Sequence, residues 1–197
     1  MLREARKKET KELIFLQAIK LFKEKGYDHV TVQEIASSCG IAKGTFFNYF
    51  SKKEEILLYL GESQLELMHQ SMKEHQELEQ HPREYIGRVL HDLLLRFTEN
   101  GELIKLAIFE LIRSAYLVEK ESKSVLQLKQ SLASMIDRAK KSGKLHTTRD
   151  ANVIASTIVG VYFHTMLSWS LLHSGDKRID EILEEQLDVV WEGINHV

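Results

Sequence analysis

The chain has one cysteine, Cys39, among 197 residues, so no disulfide can form within it. Thiol usage this sparse fits a reducing, cytoplasmic compartment. Cys39 itself reads as a small apolar residue buried at the end of a helix. One proline and ten glycines leave few places where the chain must turn. β-Branched residues seldom alternate with polar ones, which argues against strands and leaves an all-α fold. No secretory leader is visible, because MLREARKKETKELIF is charged and no small-residue cleavage site follows an apolar run. Beyond residue 60 there is no Gly-rich phosphate loop and no Ser–His or Cys–His pair with a local signature. No catalytic residue and no cofactor is therefore expected, and an enzyme is the weakest reading. The nine histidines give no metal spacing either. His69 and His75 are six apart and His164 and His173 nine apart, so neither pair shares a helix face.

Asp, Glu, Lys and Arg are absent from 151–175, a run long enough to cross a bilayer. Asn152, Ser156, Thr157, His164, Thr165, Ser168, Ser170 and His173 interrupt it. It reads instead as a helix enclosed by protein, and no membrane partner is expected.

What is present is unevenly charged. Residues 1–60 hold 11 Lys and Arg against 8 Asp and Glu, and the remainder holds 16 against 21. A basic head on an acidic body points to a polyanion as the head's partner. Apolar spacing predicts a helix near 6–25, with Ile14, Ala18, Leu21 and Phe22 inward and Gly26 ending it. Thr31-Val-Gln-Glu34 is a capping box opening a second helix. Gly40 breaks that helix, and a third runs near 42–50. Two helices joined by a short Gly-containing turn make a helix-turn-helix unit. A long fourth helix is predicted from Ser51 or Lys52 to Glu79. Others follow near 83–99, 102–118, 122–142, 149–172 and 179–195. The boundary between a 1–60 head and a 61–197 body falls inside the fourth helix.

The stretch GIAKGTFFNYFSKKEEIL carries the chemistry. Phe46 and Phe50 anchor the third helix on Phe22 and Ile35, which leaves Lys43, Gly44, Phe47 and Asn48 facing outward. A recognition helix reads base edges from the major groove with its N-terminal residues. Lys suits guanine O6 and N7, Asn suits adenine N6 and N7, and an apolar ring can meet a thymine methyl. Thr45, Tyr49 and Lys53 carry groups for phosphate oxygens. Thr31 offers a hydroxyl and a helix N-terminal N–H to another phosphate. The rival reading is a helical ligand-sensing or partner-binding module that does not touch DNA.

Ile14–Leu57 resembles the N-terminal domain of TetR-family transcriptional regulators. The matching residues are Ala18, Leu21-Phe22, Gly26-Tyr27, Thr31-Val32, Ile35-Ala36, Gly40-Ile41, Lys43-Gly44-Thr45-Phe46, Tyr49-Phe50 and Lys53-Glu54-Glu55-Ile56-Leu57. The resemblance implies that Gln33, Lys43, Gly44, Phe47 and Asn48 face bases, while Thr31, Thr45, Tyr49 and Lys53 hold the backbone. Where the family often has tyrosine, this chain has Phe47, which lacks a hydroxyl able to reach phosphate. The expected function is a dimeric repressor on a pseudo-palindromic double-stranded DNA operator, controlled by a small apolar or amphipathic effector.

Methionines and large aromatics between helices line apolar pockets. The resemblance implies one in the body, for which Met68, Met72, Phe97, Phe109, Ile112, Tyr116, Tyr162 and Met166 are the candidates. The last two helices carry apolar stripes suited to a four-helix homodimer contact. The expected contact residues are Ile154, Ser156, Ile158, Gly160, Ile182, Gln186 and Val190.

Overall fold

The computed structural model describes the backbone of residues 2–98, 106, 115–172 and 178–195, with side chains described there except at 2, 3, 60, 96–98, 115–122, 171, 172 and 195. The described backbone is helical, as expected from the sequence. Its α-helices are α1 (Leu2–Lys25), α2 (Val32–Ser38), α3 (Lys43–Phe46), α4 (Glu55–Glu74), α5 (Pro82–Thr98), α6 (Ala115–Lys141), α7 (Ala151–Leu172) and α8 (Ile179–Asn195), with a 3-10 turn at Gln76–Gln80.

Two apolar clusters organise them. The first gathers Ile14, Ala18 and Phe22 of α1, Ile35 and Ala36 of α2, Phe46, Phe50, and Ile56 and Leu57 of α4. Gly26 and Gly40 turn the chain between these helices at φ 82° and 66°, where a β-carbon would be strained. The second cluster is built on Met68 of α4, the inner face of α5, and α6, α7 and α8. α4 contributes to both, so it is the element that ties head to body.

Several boundaries differ from the sequence reading, and α1 already begins at Leu2. α3 is a single turn ending at Phe46, followed by turns in which Asn48 N–H reaches Thr45 O and Tyr49 N–H reaches Phe46 O. Gly44 and Thr45 are poor helix formers, which keeps it short. α4 starts at Glu55, where the Glu55 carboxylate accepts from the Ser51 N–H at 2.8 Å, and it stops at Glu74. The expected break between 118 and 122 does not occur. α6 runs through it, because Glu119, Lys120 and Glu121 favour helix and no Gly or Pro lies between 115 and 141.

α7 is apolar enough along Ala151–Ser170 to meet the composition of a membrane span. Its inner face nonetheless packs into the second cluster through Ile154, Ala155, Ile158, Val159, Tyr162 and Met166.

Candidate nucleic-acid interface

The head builds a small exposed surface on a rigid base. Phe46 and Phe50 are buried with ring centroids 5.8 Å apart. Phe47 stands edge-on to Phe46 at 5.5 Å and remains 47% exposed. Lys43, Gly44 and Asn48 are exposed beside it, and Thr45 and Tyr49 are half-buried. Residues 43, 44, 47 and 48 share one side of the helical turn. Apart from its chain neighbours and the local helical backbone, no atom of the described residues lies within 4 Å of where a Gly44 β-carbon would sit, so the backbone there is open to close approach.

The expected phosphate-holding groups are differently placed. Thr31 N–H and Thr31 Oγ1 both donate to Glu34 Oε2 at 2.9 Å, and Oγ1 accepts from Glu34 N–H at 3.2 Å. Glu34 also receives Lys25 Nζ at 2.8 Å. That ammonium and the two Thr31 donors lower the Glu34 carboxyl to about 2. The anion facing Thr31 is thus supplied by the chain itself. Lys53 Nζ donates to Tyr27 O at 2.7 Å and to Val30 O at 3.1 Å, and lies 4.1 Å from the Tyr27 ring centroid. Two of its three N–H donors close the turn between α1 and α2.

Gln33 is exposed, and its Nε2 lies 3.3 Å from Ser37 Oγ. Ser37, whose hydroxyl accepts from Gln33 there, is an exposed polar residue that the sequence reading left out, though its position one turn beyond Gln33 could have shown it. Another missed residue is Lys11. Its ammonium contacts Glu62 at 2.5 Å and lies 4.6 Å from the Tyr59 ring and 5.5 Å from that of Phe50. Lys8 pairs with Glu66 at 2.6 Å. These contacts hold α1 against α4.

In the body, Met68, Tyr162 and Met166 are buried in the core, and Met72 packs partly buried against it. The Tyr162 hydroxyl is enclosed without a hydrogen-bond partner among the described residues, and burial pushes its phenol up. Phe109 and Ile112, and the side chains of Phe97 and Tyr116, lie outside the described residues. Ser71 Oγ donates to Asp92 Oδ2 at 2.7 Å, and His75 Nε2 lies 2.9 Å from the same oxygen, joining α4 to α5. Burial works to raise the Asp92 carboxyl, but these two contacts hold it below the usual range. Among the described residues no three His, Cys, Asp or Glu side chains gather as metal ligands. Burial also pushes the Cys39 thiol up, away from reactivity.

The expected dimer stripe needs correction on α7. Ile154 is 3% exposed and Ile158 0%, so both belong to the protomer's own core. The outward face of α7 lies one step round, through Val153, Ser156, Thr157, Gly160, His164 and Leu167. On α8, Ile182, Gln186 and Val190 are half-buried, and Val189 is 69% exposed. Gln186 Oε1 accepts from Thr165 Oγ1 at 2.7 Å within the same chain.

Residues 14–60 match the family model described as bacterial regulatory proteins, tetR family. The chain is 27% identical over 197 residues to the HTH-type transcriptional regulator YerO of Bacillus subtilis (strain 168), an alignment covering 95% of this chain and 66% of that protein's length. Among solved structures it resembles Thermus thermophilus FadR, a TetR-family transcriptional repressor in complex with lauroyl-CoA. The TM-score is 0.74 at 25% identity, covering 93% of this chain and 94% of that one. FadR from Bacillus subtilis in complex with stearoyl-CoA shares the fold, with a TM-score of 0.73 at 20% identity over 93% of this chain and 99% of that one.

Proposed function

We propose that this chain, which belongs to the TetR family of transcriptional regulators, is a cytoplasmic dimeric repressor released from its operator by an amphipathic small molecule. It is a regulator and not an enzyme. The observation that carries the DNA reading is the grouping of Lys43, Gly44, Phe47 and Asn48 on one exposed side of a turn fixed from below by Phe46 and Phe50. Lys43 and Asn48 bring donors and acceptors suited to base edges, and Phe47 brings an apolar ring. Thr45, Tyr49 and Gln33 flank them. Thr31 and Lys53 shape the α1–α2 turn and add what donor capacity remains toward phosphate.

Residues 1–60 form the head and 61–197 the body. Two heads reach successive major grooves of a pseudo-palindromic site. The outward faces of α7 and α8 join two copies. An effector in the body shifts the population toward a head spacing that no longer fits. The change passes through α4, which is common to both clusters, and through Leu106, which packs against the head cluster. The FadR neighbours are found with acyl-CoA, so an acyl-CoA is the first effector class to test here.

The test is selection from random DNA at matched salt, with wild type, Lys43→Ala and Asn48→Ala. Each variant should relax preference at one position of each half-site, losing about 1–3 kcal/mol of discrimination. If both variants return the wild-type motif with weaker binding alone, Lys43 and Asn48 are positioning residues. If wild type enriches no motif, the chain is a helical sensor that does not read DNA.

A further inference from the structure

We infer that a cleft between the start of α5 and the end of α6 holds the phosphate-bearing end of the effector. The inference rests on the amphipathic-effector reading above. α4 leaves the head at Glu55 and runs 20 residues, which spans about 30 Å. The cleft opens just past its far end, so it lies at the end of the body remote from DNA. It encloses about 220 Å³. Pockets that enclose a whole small molecule measure roughly 300–1,000 Å³, so this one takes part of a ligand.

Its floor is apolar, formed by Tyr85, Ile86 and Met135, which belong to the body core. Its rim carries one carboxylate, Glu79, against two cations, Arg138 and Lys144, with the Ser142 hydroxyl beside them. The stretch from Arg138 to Arg149 holds five Lys and Arg and no Asp or Glu, inside a body that is otherwise acidic. Cations at a helix C-terminus commonly complement its dipole, which accounts for Lys140 and Lys141. These two are engaged locally, Lys140 on the Arg149 carbonyl and Lys141 on Asp137 at 2.6 Å.

Lys144 is different. It stands beyond the turn at Gly143, where its own N–H returns to Ala139 O at 2.9 Å and fixes its direction. Its ammonium has no hydrogen-bond or ion-pair partner among the described residues. Arg138 donates from Nη1 to Ser134 Oγ at 3.3 Å and meets Glu79 at 3.8 Å, exposed contacts that a phosphate can displace. Two cations outnumber the Glu79 carboxylate over an apolar floor, and the Ser142 hydroxyl, which donates to Ala139 O at 3.2 Å, can turn toward a ligand. The net positive rim favours a phosphate joined to an organic group, as in a coenzyme A thioester. A free fatty acid brings no phosphate to this rim.

The experiment measures binding of lauroyl-CoA, coenzyme A and laurate to three proteins: wild type, Arg138→Ala/Lys144→Ala, and the control Lys123→Ala/Lys129→Ala, which removes equal charge elsewhere on α6. The cleft variant should lose about tenfold or more in lauroyl-CoA and coenzyme A affinity, at least the scale of one lost charge-assisted bond on an exposed rim. Its laurate binding and thermal melt should stay as in wild type, and the control should match wild type throughout. Ser142→Glu, which puts a carboxylate on the rim without emptying it, should act in the same direction. Equal lauroyl-CoA binding by wild type and both cleft variants overturns the site while the effector reading stands. If wild type binds none of the three probes, the acyl-CoA effector reading fails and the site falls with it.

Discussion

Replacing Lys53 separates two roles that one ammonium can play. The sequence places it where a phosphate contact is expected. In the fold its Nζ lies 2.7 Å and 3.1 Å from the carbonyls of Tyr27 and Val30 and over the Tyr27 ring. A hydrogen bond to a charged group contributes about 1.5–3 kcal/mol, and a partly exposed site keeps the lower part of that range. The cation–π contact adds about 0.5–1 kcal/mol. Losing all three, with some water replacing the ammonium, should destabilise the head by roughly 2–3 kcal/mol, a large share of the 5–15 kcal/mol typical of a domain. Lys53→Met keeps the aliphatic stem and removes only the charge, so it should lose nearly as much as Lys53→Ala. The assay is urea unfolding followed by far-UV circular dichroism, with DNA affinity titrated against salt in parallel. If the remaining N–H meets a phosphate, either substitution removes that contact and lowers the salt slope by about one unit. Unfolding midpoints unchanged in both variants, with the slope lowered by one, would refute the clamp and leave Lys53 a phosphate contact alone.

Other outcomes follow from equally local features. Beyond its own helical backbone, a β-carbon at Gly160 meets no atom of the described residues within 4 Å, so Gly160→Glu should leave the protomer folded. Sedimentation should show it monomeric at micromolar concentration, and a dimer there would move the contact off α7. Phe47 should make binding sensitive to thymine methyls: replacing thymine by uracil in the selected site should weaken wild type and leave Phe47→Ala unaffected, and equal losses in both would remove Phe47 from that role. Tyr162→Phe deletes an enclosed hydroxyl that has no partner among the described residues, so the apo protein should gain about 1–3 kcal/mol; a lowered melting temperature would mean the hydroxyl has a partner. Glu34 is held at about 2 in the fold, below its unfolded value, so its contribution is complete above pH 4.5 and lost as pH falls toward 2. Urea midpoints of Glu34→Gln should therefore fall less than wild type's across that window, and identical acid slopes would count against the Lys25–Glu34–Thr31 link.

Chain-local signals were readable from the sequence. The Thr31–Glu34 box and the turns at Gly26 and Gly40 each depend on residues within one helical turn, and each forms. The exposed group at Lys43, Gly44, Phe47 and Asn48 was readable for the same reason, because Phe46 and Phe50 can only point inward. Lys53 was not readable in full. Its partners lie 26 and 23 residues back, and spacing along one helix says nothing about a lysine that folds over another.

α7 shows the limit most clearly. A helix with charged residues on one side announces which side is inward, since burying an unpaired charge is costly. α7 has no such side, so every apolar stripe along it was an equal candidate for the partner surface. The decision is made by α6 and α8, which pack on α7 and take Ile154 and Ile158 for the protomer core. What they leave outside is a surface of small or modestly apolar residues, Ser156, Gly160, Val153 and Leu167, with Thr157 and His164. Small residues let a second helix come close, and the absence of charge removes the penalty for covering them. The same helix can thus close its own core with its bulkiest residues and still present a second face to another copy.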